Sequence, residues 1–215
     1  MFRTLILDSF ASIALCTFAT AQIQTSQLPA GPHQPAPGPV STLHRPAPPP
    51  SVPPMAFCFG DASAAACPCA NTGLAGRGCD NSGFTGGSIL WTHGVARLSA
   101  DSVKLEVMGE LPRSLSVVLQ GNAQVRPAQF GDGLRCVGGS LKRLYTYQAS
   151  NGMLTSPGFG ELSISARSEA LGDPIQQGDL RYYQVYYRDP TEGFCAAPNG
   201  STFNVSNALA ITWDS

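Results

Sequence analysis

The sequence predicts an all-β fold: an antiparallel β-sandwich or jelly-roll-like domain, stapled by disulfides and carrying a small cysteine-rich head. Three observations lead there. Short runs alternate in twos, Gly-rich turns separate those runs, and six cysteines lie beyond the first 21 residues. Alternation with a period of two sends successive side chains to opposite faces, so one face of each run meets a core. Val103, Leu105 and Val107 alternate with Lys104, Glu106 and Met108, and Leu115, Val117 and Leu119 alternate with Ser116 and Val118. Leu162, Ile164 and Ala166 alternate with Ser163, Ser165 and Arg167, which predicts a strand, although residues 161–171 are also the one stretch that a helix could contest. Leu209, Ile211 and Trp213 form a fourth alternating set, and further strands are expected over 89–98 with a break at Gly94, and over 141–148, 181–188 and 202–206. Gly121-Asn122, Gly131-Asp132-Gly133, Gly138-Gly139, Asn151-Gly152 and Gly172-Asp173-Pro174 punctuate them, as residues that adopt turn conformations at low cost. Eight or nine short strands without a convincing amphipathic helix give the sandwich.

The N-terminal quarter reads differently. Residues 1–21 have one cation, Arg3, a mostly apolar stretch to Phe18 and an Ala19-Thr20-Ala21 ending, the layout of a secretory signal peptide. Residues 22–54 hold eleven prolines in 33 positions, too little apolar surface to offset ordering entropy, and are expected to be a disordered, Pro-rich arm. The domain then runs over 55–215, with the cysteine-rich head at about 57–83. No later run reaches the length of a membrane span, so no membrane insertion is expected after cleavage, and the product is expected to be secreted, extracellular or in the cell envelope. Charged residues are only 13% of the chain and the formal net charge is -1, which removes the electrostatic footprint of a nucleic-acid binder.

Cys58, Cys67, Cys69, Cys79, Cys136 and Cys195 are expected to be disulfide-bonded, because an even number in an exported chain reads as crosslinks. Cys67 and Cys69 flank Pro68 and are poorly placed to join each other. If the four head cysteines close among themselves, either 58–67 with 69–79 or 58–69 with 67–79 remains, and Cys136 pairs with Cys195. A zinc knot is the rival reading, but the Cys-x8-Cys-x-Cys-x9-Cys spacing lacks the paired C-x2-C units of zinc sites.

Phe57-Cys58-Phe59-Gly60-Asp61, Cys67-Pro68-Cys69-Ala70-Asn71 and Gly76-Arg77-Gly78-Cys79-Asp80-Asn81-Ser82 resemble the head of a family of secreted bacterial proteins abundant in planctomycetes. The resemblance continues through Phe130 to Cys136, Arg181 to Pro190, Phe194-Cys195 and Phe203-Asn204 to Trp213. This chain has Ala62 and Ala70 where that family usually has Gly, and Tyr186 where a Trp is common. The resemblance implies the domain limits and export, and implies no activity.

Candidate chemistry is sparse. His33 and His44 fall in the arm, leaving His93 as the domain's imidazole, and no G-x-S-x-G elbow accompanies it, so a Ser-His-Asp or Cys-His enzyme is not expected. The enzyme class that these residues leave open is a glycoside hydrolase, because two carboxylates suffice for that reaction and Asp61, Asp80, Asp132 and Asp189 are candidates by type. Each has a turn neighbourhood that explains it without catalysis. No cofactor is expected; a calcium site is the exception considered, with oxygen ligands from Asp61, Asn71, Asp80 and Asn81. In the run 181–188, Tyr183, Val185 and Tyr187 are expected on the core side, while Tyr182, Gln184, Tyr186 and Arg188 face the other way. That second set is a candidate binding face for a polysaccharide or cell-surface protein; the competing reading is a central strand covered on both sides. Arg135, Arg181 and Arg188 are expected to pair with Asp132 and Asp189. The expectation for function is a non-catalytic binding or structural module, with a carbohydrate-binding or carbohydrate-hydrolysing protein as the alternative.

Overall fold

In the computed structural model the described residues are 52–191, 193–195 and 200–215. The expected signal peptide, and all of the expected arm except Val52, Pro53 and Pro54, lie outside them. The strands are β1 (Met55–Phe57), β2 (Ile89–His93), β3 (Lys104–Met108), β4 (Leu115–Gly121), β5 (Ala123–Phe130), β6 (Gly133–Gly138), β7 (Lys142–Gln148), β8 (Met153–Ser156), β9 (Leu180–Arg188) and β10 (Phe203–Thr212), with one α-helix, α1 (Ile164–Ala170), and a short 3-10 turn at Leu98–Ala100. They form a five-stranded sheet in the order β1-β10-β9-β4-β7, a three-stranded sheet β2-β3-β8 and the hairpin β5-β6. All named pairings are antiparallel.

The two larger sheets pack face to face, and the expected alternation supplies the core except in β4, where Val118 rather than the set Leu115, Val117 and Leu119 points into it and Leu115 is exposed. Leu90, Val103, Leu105, Val107 and Leu154 come from the three-stranded side. Val118, Leu144, Tyr183, Val185, Leu209, Ile211 and Trp213 meet them from the five-stranded side. Each fully buried aliphatic side chain here contributes about 2 kcal/mol through removal of apolar surface from water. Trp213 is fully buried, so its indole N–H needs a partner, and it donates to the Tyr183 hydroxyl at 3.1 Å. A bulge between Val205 and Ala208 in β10 breaks the register with β9 and accompanies a second tie between the sheets. Asn207, fully buried, accepts from the Leu90 N–H and donates to the Leu90 carbonyl, doing for β2 what a neighbouring strand would do.

The opposite face of the large sheet is also covered. Cys58, Cys67, Cys79, Leu134, Cys136, Val137 and Ala208 form a second cluster, with Phe57 and Tyr182 packed on it. The head therefore sits on the outer face of β9 and β10 together with β5-β6. Close approach here requires glycine: a Cβ on Gly78 would stand 2.2 Å from the Val205 carbonyl oxygen.

Two further expectations need correction. Residues 162–166 are not a strand: Ser163 caps α1 by accepting from the Ala166 N–H, and Ile164 and Ser168, four apart, are its buried residues. A serine cap and an i, i+4 buried pair fit a helix as well as alternation fits a strand, and the cap decides. The hairpin β5-β6 lies where the sequence predicts turns at 121–122, 131–133 and 138–139 but no strands, because β5 is largely exposed and shows little apolar periodicity.

Candidate functional site at the cysteine-stapled head

All six cysteines among the described residues are paired, as Cys58–Cys136, Cys67–Cys79 and Cys69–Cys195. The head does not close on itself. Cys67–Cys79 agrees with one of the local alternatives, but Cys136 bonds Cys58 rather than Cys195, and Cys69 reaches Cys195. The reason is the unforeseen hairpin: β6 carries Cys136 over the outer face of β9, where the head lies. Two long-range bonds thus join the head to β6 and to the loop after β9.

Within the head, the four residues of the expected oxygen cluster hold backbone. Asp61 accepts from the Ser63 hydroxyl and N–H and from the Gly76 N–H, and these bonds, that of the Ser63 hydroxyl first, lower its pKa below the ordinary carboxylate value. Asp80 Oδ1 accepts from the N–H groups of Asn81, Gly86 and Gly87. Asn71 Nδ2 donates to the Asp80 and Asp132 carbonyls. Asn81, fully buried, donates to Thr85 Oγ1, to the Gly109 carbonyl and to the Tyr187 hydroxyl, while its Oδ1 accepts from the Gly83 N–H. Asn71, Asp80 and Asn81 are brought together as a brace; Asp61 serves the separate turn at Gly76.

On β9 the inward set is as expected: Tyr183, Val185 and Tyr187 are fully buried. The other face lies under the head and hairpin. Gln184 is 0% exposed, donates to the Leu134 and Ser206 carbonyls and accepts from the Cys136 N–H. Tyr182 meets Phe57 edge to face, and Tyr186 meets Phe130 and Phe203. Arg188 is exposed and donates to Thr202 Oγ1. Of the four expected binding residues, then, Arg188 stands clear at the strand end and Gln184 is a structural bolt. Gln184→Met keeps the length of the side chain and removes its three bonds, so it is expected to cost on the order of 3 kcal/mol, because two carbonyls and one N–H are left buried without partners. Guanidinium unfolding of the parent and variant measures this.

The remaining acids divide by burial. Asp132 accepts from the Ser201 N–H; burial, with the Asp189 charge adding to it, pushes its carboxyl up to about 6 against that bond. Asp189 accepts from the Ser82 N–H and hydroxyl. Neither pairs with the expected arginines. Arg181 instead bridges Asp173 and Asp179, at 3.7 and 3.0 Å, and Arg135 lies over the Phe130 ring. His93 ends β2 at the surface with Nδ1 3.5 Å from Glu106. Among the described residues no group of three or more His, Cys, Asp or Glu side chains is placed to hold a metal ion.

Beside the brace stands an exposed aromatic side chain on a strained backbone. Phe84 lies at φ 52°, in the left-handed region that costs a bulky residue roughly 1–2 kcal/mol, and it is 77% exposed. Its loop is pinned by the Asp80, Asn81 and Asp189 bonds just described and by the Phe84 N–H donating to the Asn81 carbonyl. Its ring meets Phe194 edge to face at 5.8 Å, beside the Cys69–Cys195 bond. Leu74, 59% exposed, donates its N–H to the Gly86 carbonyl and lies against Gly86. The only sequence signal was an aromatic residue inside a run of turn formers, Asn81-Ser82-Gly83-Phe84-Thr85-Gly86-Gly87.

Fold and head together define a disulfide-stapled antiparallel β-sandwich whose braced, cysteine-rich cap exposes Leu74 and Phe84. Comparison with protein-family models, with curated proteins and with solved structures finds no match to this chain.

Proposed function

We propose that this chain is an exported, non-catalytic module of the cell envelope or extracellular matrix that binds a partner surface through Leu74, Phe84 and Phe194. The exposed, left-handed Phe84 carries this reading. A bulky side chain held at backbone cost, and turned to solvent rather than to the core, is the signature of a pre-organised contact, since the surrounding bonds must over-determine the strain. Export is supported by three disulfides, which persist in oxidising compartments, and among the described residues no helix is long and apolar enough to cross a membrane. The non-catalytic reading is supported by the use already made of the head's polar side chains, which hold backbone.

Phe84→Gly separates contact from fold. Relief of the left-handed conformation and loss of the Phe84–Phe194 ring contact offset one another, so stability is expected to stay within about 1 kcal/mol of the parent. The variant is nevertheless expected to shift from the envelope fraction to the medium when expressed in the cells that export it. Undiminished envelope retention of a folded Phe84→Gly chain would overturn the assignment of Phe84 as the contact.

A further inference from the structure

A second surface, remote in sequence from the head, carries chemistry of its own. β7 is an edge strand, and the segment that leads from β8 into α1 runs beside it, leaving a shallow cleft of about 240 Å³ lined by Leu144, Tyr145, Thr146, Glu161, Leu162 and Arg167. Its charged groups are oriented by the protein and only half used. Glu161 Oε2 accepts from the Tyr147 hydroxyl and the Gly158 N–H. Its Oε1 has no partner among the described residues. Arg167 Nε donates to the Leu144 carbonyl at 2.7 Å, and the guanidinium carbon lies 6.0 Å from the centre of the Tyr145 ring. Its two terminal nitrogens bond nothing among the described residues, and no carboxylate there lies within ion-pair distance. Tyr145, largely buried, donates to the Leu162 carbonyl and ties the far wall to β7.

We propose that this cleft binds one neutral glycosyl unit of a polysaccharide. The proposal goes beyond the contact assigned to Phe84 and does not depend on it. A free carboxylate oxygen accepts from a hydroxyl, a free guanidinium edge donates to the adjacent hydroxyl oxygen, and the exposed Thr146 hydroxyl can do either. Leu162, 50% exposed, supplies the apolar wall that the C–H face of a sugar ring requires. The volume suits one ring. The two opposite charges suit a neutral polyol, which bonds both without bringing a charge of its own; a uronate pairs with Arg167 only by setting a like charge beside Glu161, and a single remaining carboxylate oxygen cannot saturate the three donors of an ammonium group. A neutral polyol leaves both protein charges hydrogen-bonded.

The test is an NMR titration of the exported, oxidised chain with neutral hexose oligosaccharides of β-glucan, mannan and galactan type, beside oligo-uronate, oligo-glucosamine and free alanine. At least one neutral oligosaccharide is expected to shift the amides of Thr146, Leu162 and Arg167, with a dissociation constant of roughly 1 mM, as for a small, open site. Glu161→Gln and Arg167→Lys are each expected to weaken it about tenfold or more. Thr146→Val, at an exposed position that leaves the melting temperature unchanged, is expected to weaken it a fewfold. Silence toward every neutral oligosaccharide at 10-fold excess over that constant would overturn the proposal. So would binding confined to oligo-uronate, oligo-glucosamine or alanine, or neutral-glycan shifts that survive all three substitutions in folded protein.

Discussion

Replacing Cys58 and Cys136 together by serine is expected to lower the unfolding free energy by about 4 kcal/mol, the chain-entropy value for releasing a crosslink across 78 residues. The double variant leaves no unpaired thiol, so the loss reads the crosslink itself. Cys69–Cys195 spans 126 residues and is expected to contribute about as much, whereas Cys67–Cys79 closes only 12 and is expected to contribute about 3 kcal/mol. Guanidinium unfolding of each double variant gives the order, with the local bond least. The connectivity is checked independently by peptide mapping of the unreduced protein, which should yield Cys58 with Cys136 and Cys69 with Cys195. A Cys136–Cys195 peptide would refute the arrangement of head and hairpin. The physical consequence of the two long bonds is that the head cannot lift from β9 and β10 without breaking covalent structure, which keeps Gln184 buried and Phe84 in place.

The second large effect concerns Glu110, which is 2% exposed at the turn between β3 and β4. Ser114 and Ser116 both donate to its Oε2, while Oε1 has no partner among the described residues. Burial, opposed by the Ser116 and Ser114 bonds, pushes this carboxyl from 4.5 up to about 7. A carboxyl whose folded pKa is raised binds its proton more tightly in the native state. Its contribution is therefore fully present below about pH 4.5 and is lost as pH rises through about 7. The loss is on the order of 3 kcal/mol, from the energy per pKa unit applied to that shift. Asp132, raised to about 6, has the same sign and adds to the fall at lower pH. The parent is thus expected to be more stable at pH 5 than at pH 8, and Glu110→Gln is expected to flatten most of that slope, whatever its absolute stability, because the amide does not titrate. Denaturant unfolding at pH 5, 6, 7 and 8 decides; equal slopes in parent and variant would sink the assignment.

The faces of the strands could be read from the sequence where one side is apolar and the other polar. Leu105 and Val107, and likewise Leu209, Ile211 and Trp213, were placed correctly because a period of two leaves one solution. β9 was harder: Tyr183, Val185 and Tyr187 are no more apolar as a set than Tyr182 and Tyr186, so the sequence showed which residues share a face but not whether the second face is wet. The helix α1 was ambiguous for a related reason, since seven residues with one large apolar anchor, Ile164, satisfy both periods. Glu161 and Arg167 were seen in that contested stretch, yet their relation to β7 depends on a chain reversal that no local pattern encodes. Phe84 was invisible as a candidate because left-handed backbone at a non-glycine residue arises from tertiary bonds that overrule local preference.

By itself the sequence determined the fold class, the alternation that builds the core and the participation of all six cysteines in crosslinks. These follow from local composition and spacing. The tertiary structure alone decided which cysteines meet, that β5-β6 and the head cover the outer face of β9 and β10, and that Asn71, Asp80 and Asn81 brace backbone. Each of those depends on contacts between residues far apart in the chain. Loop closure makes many such contacts nearly equal in entropic cost, and only the packing of the whole domain chooses among them.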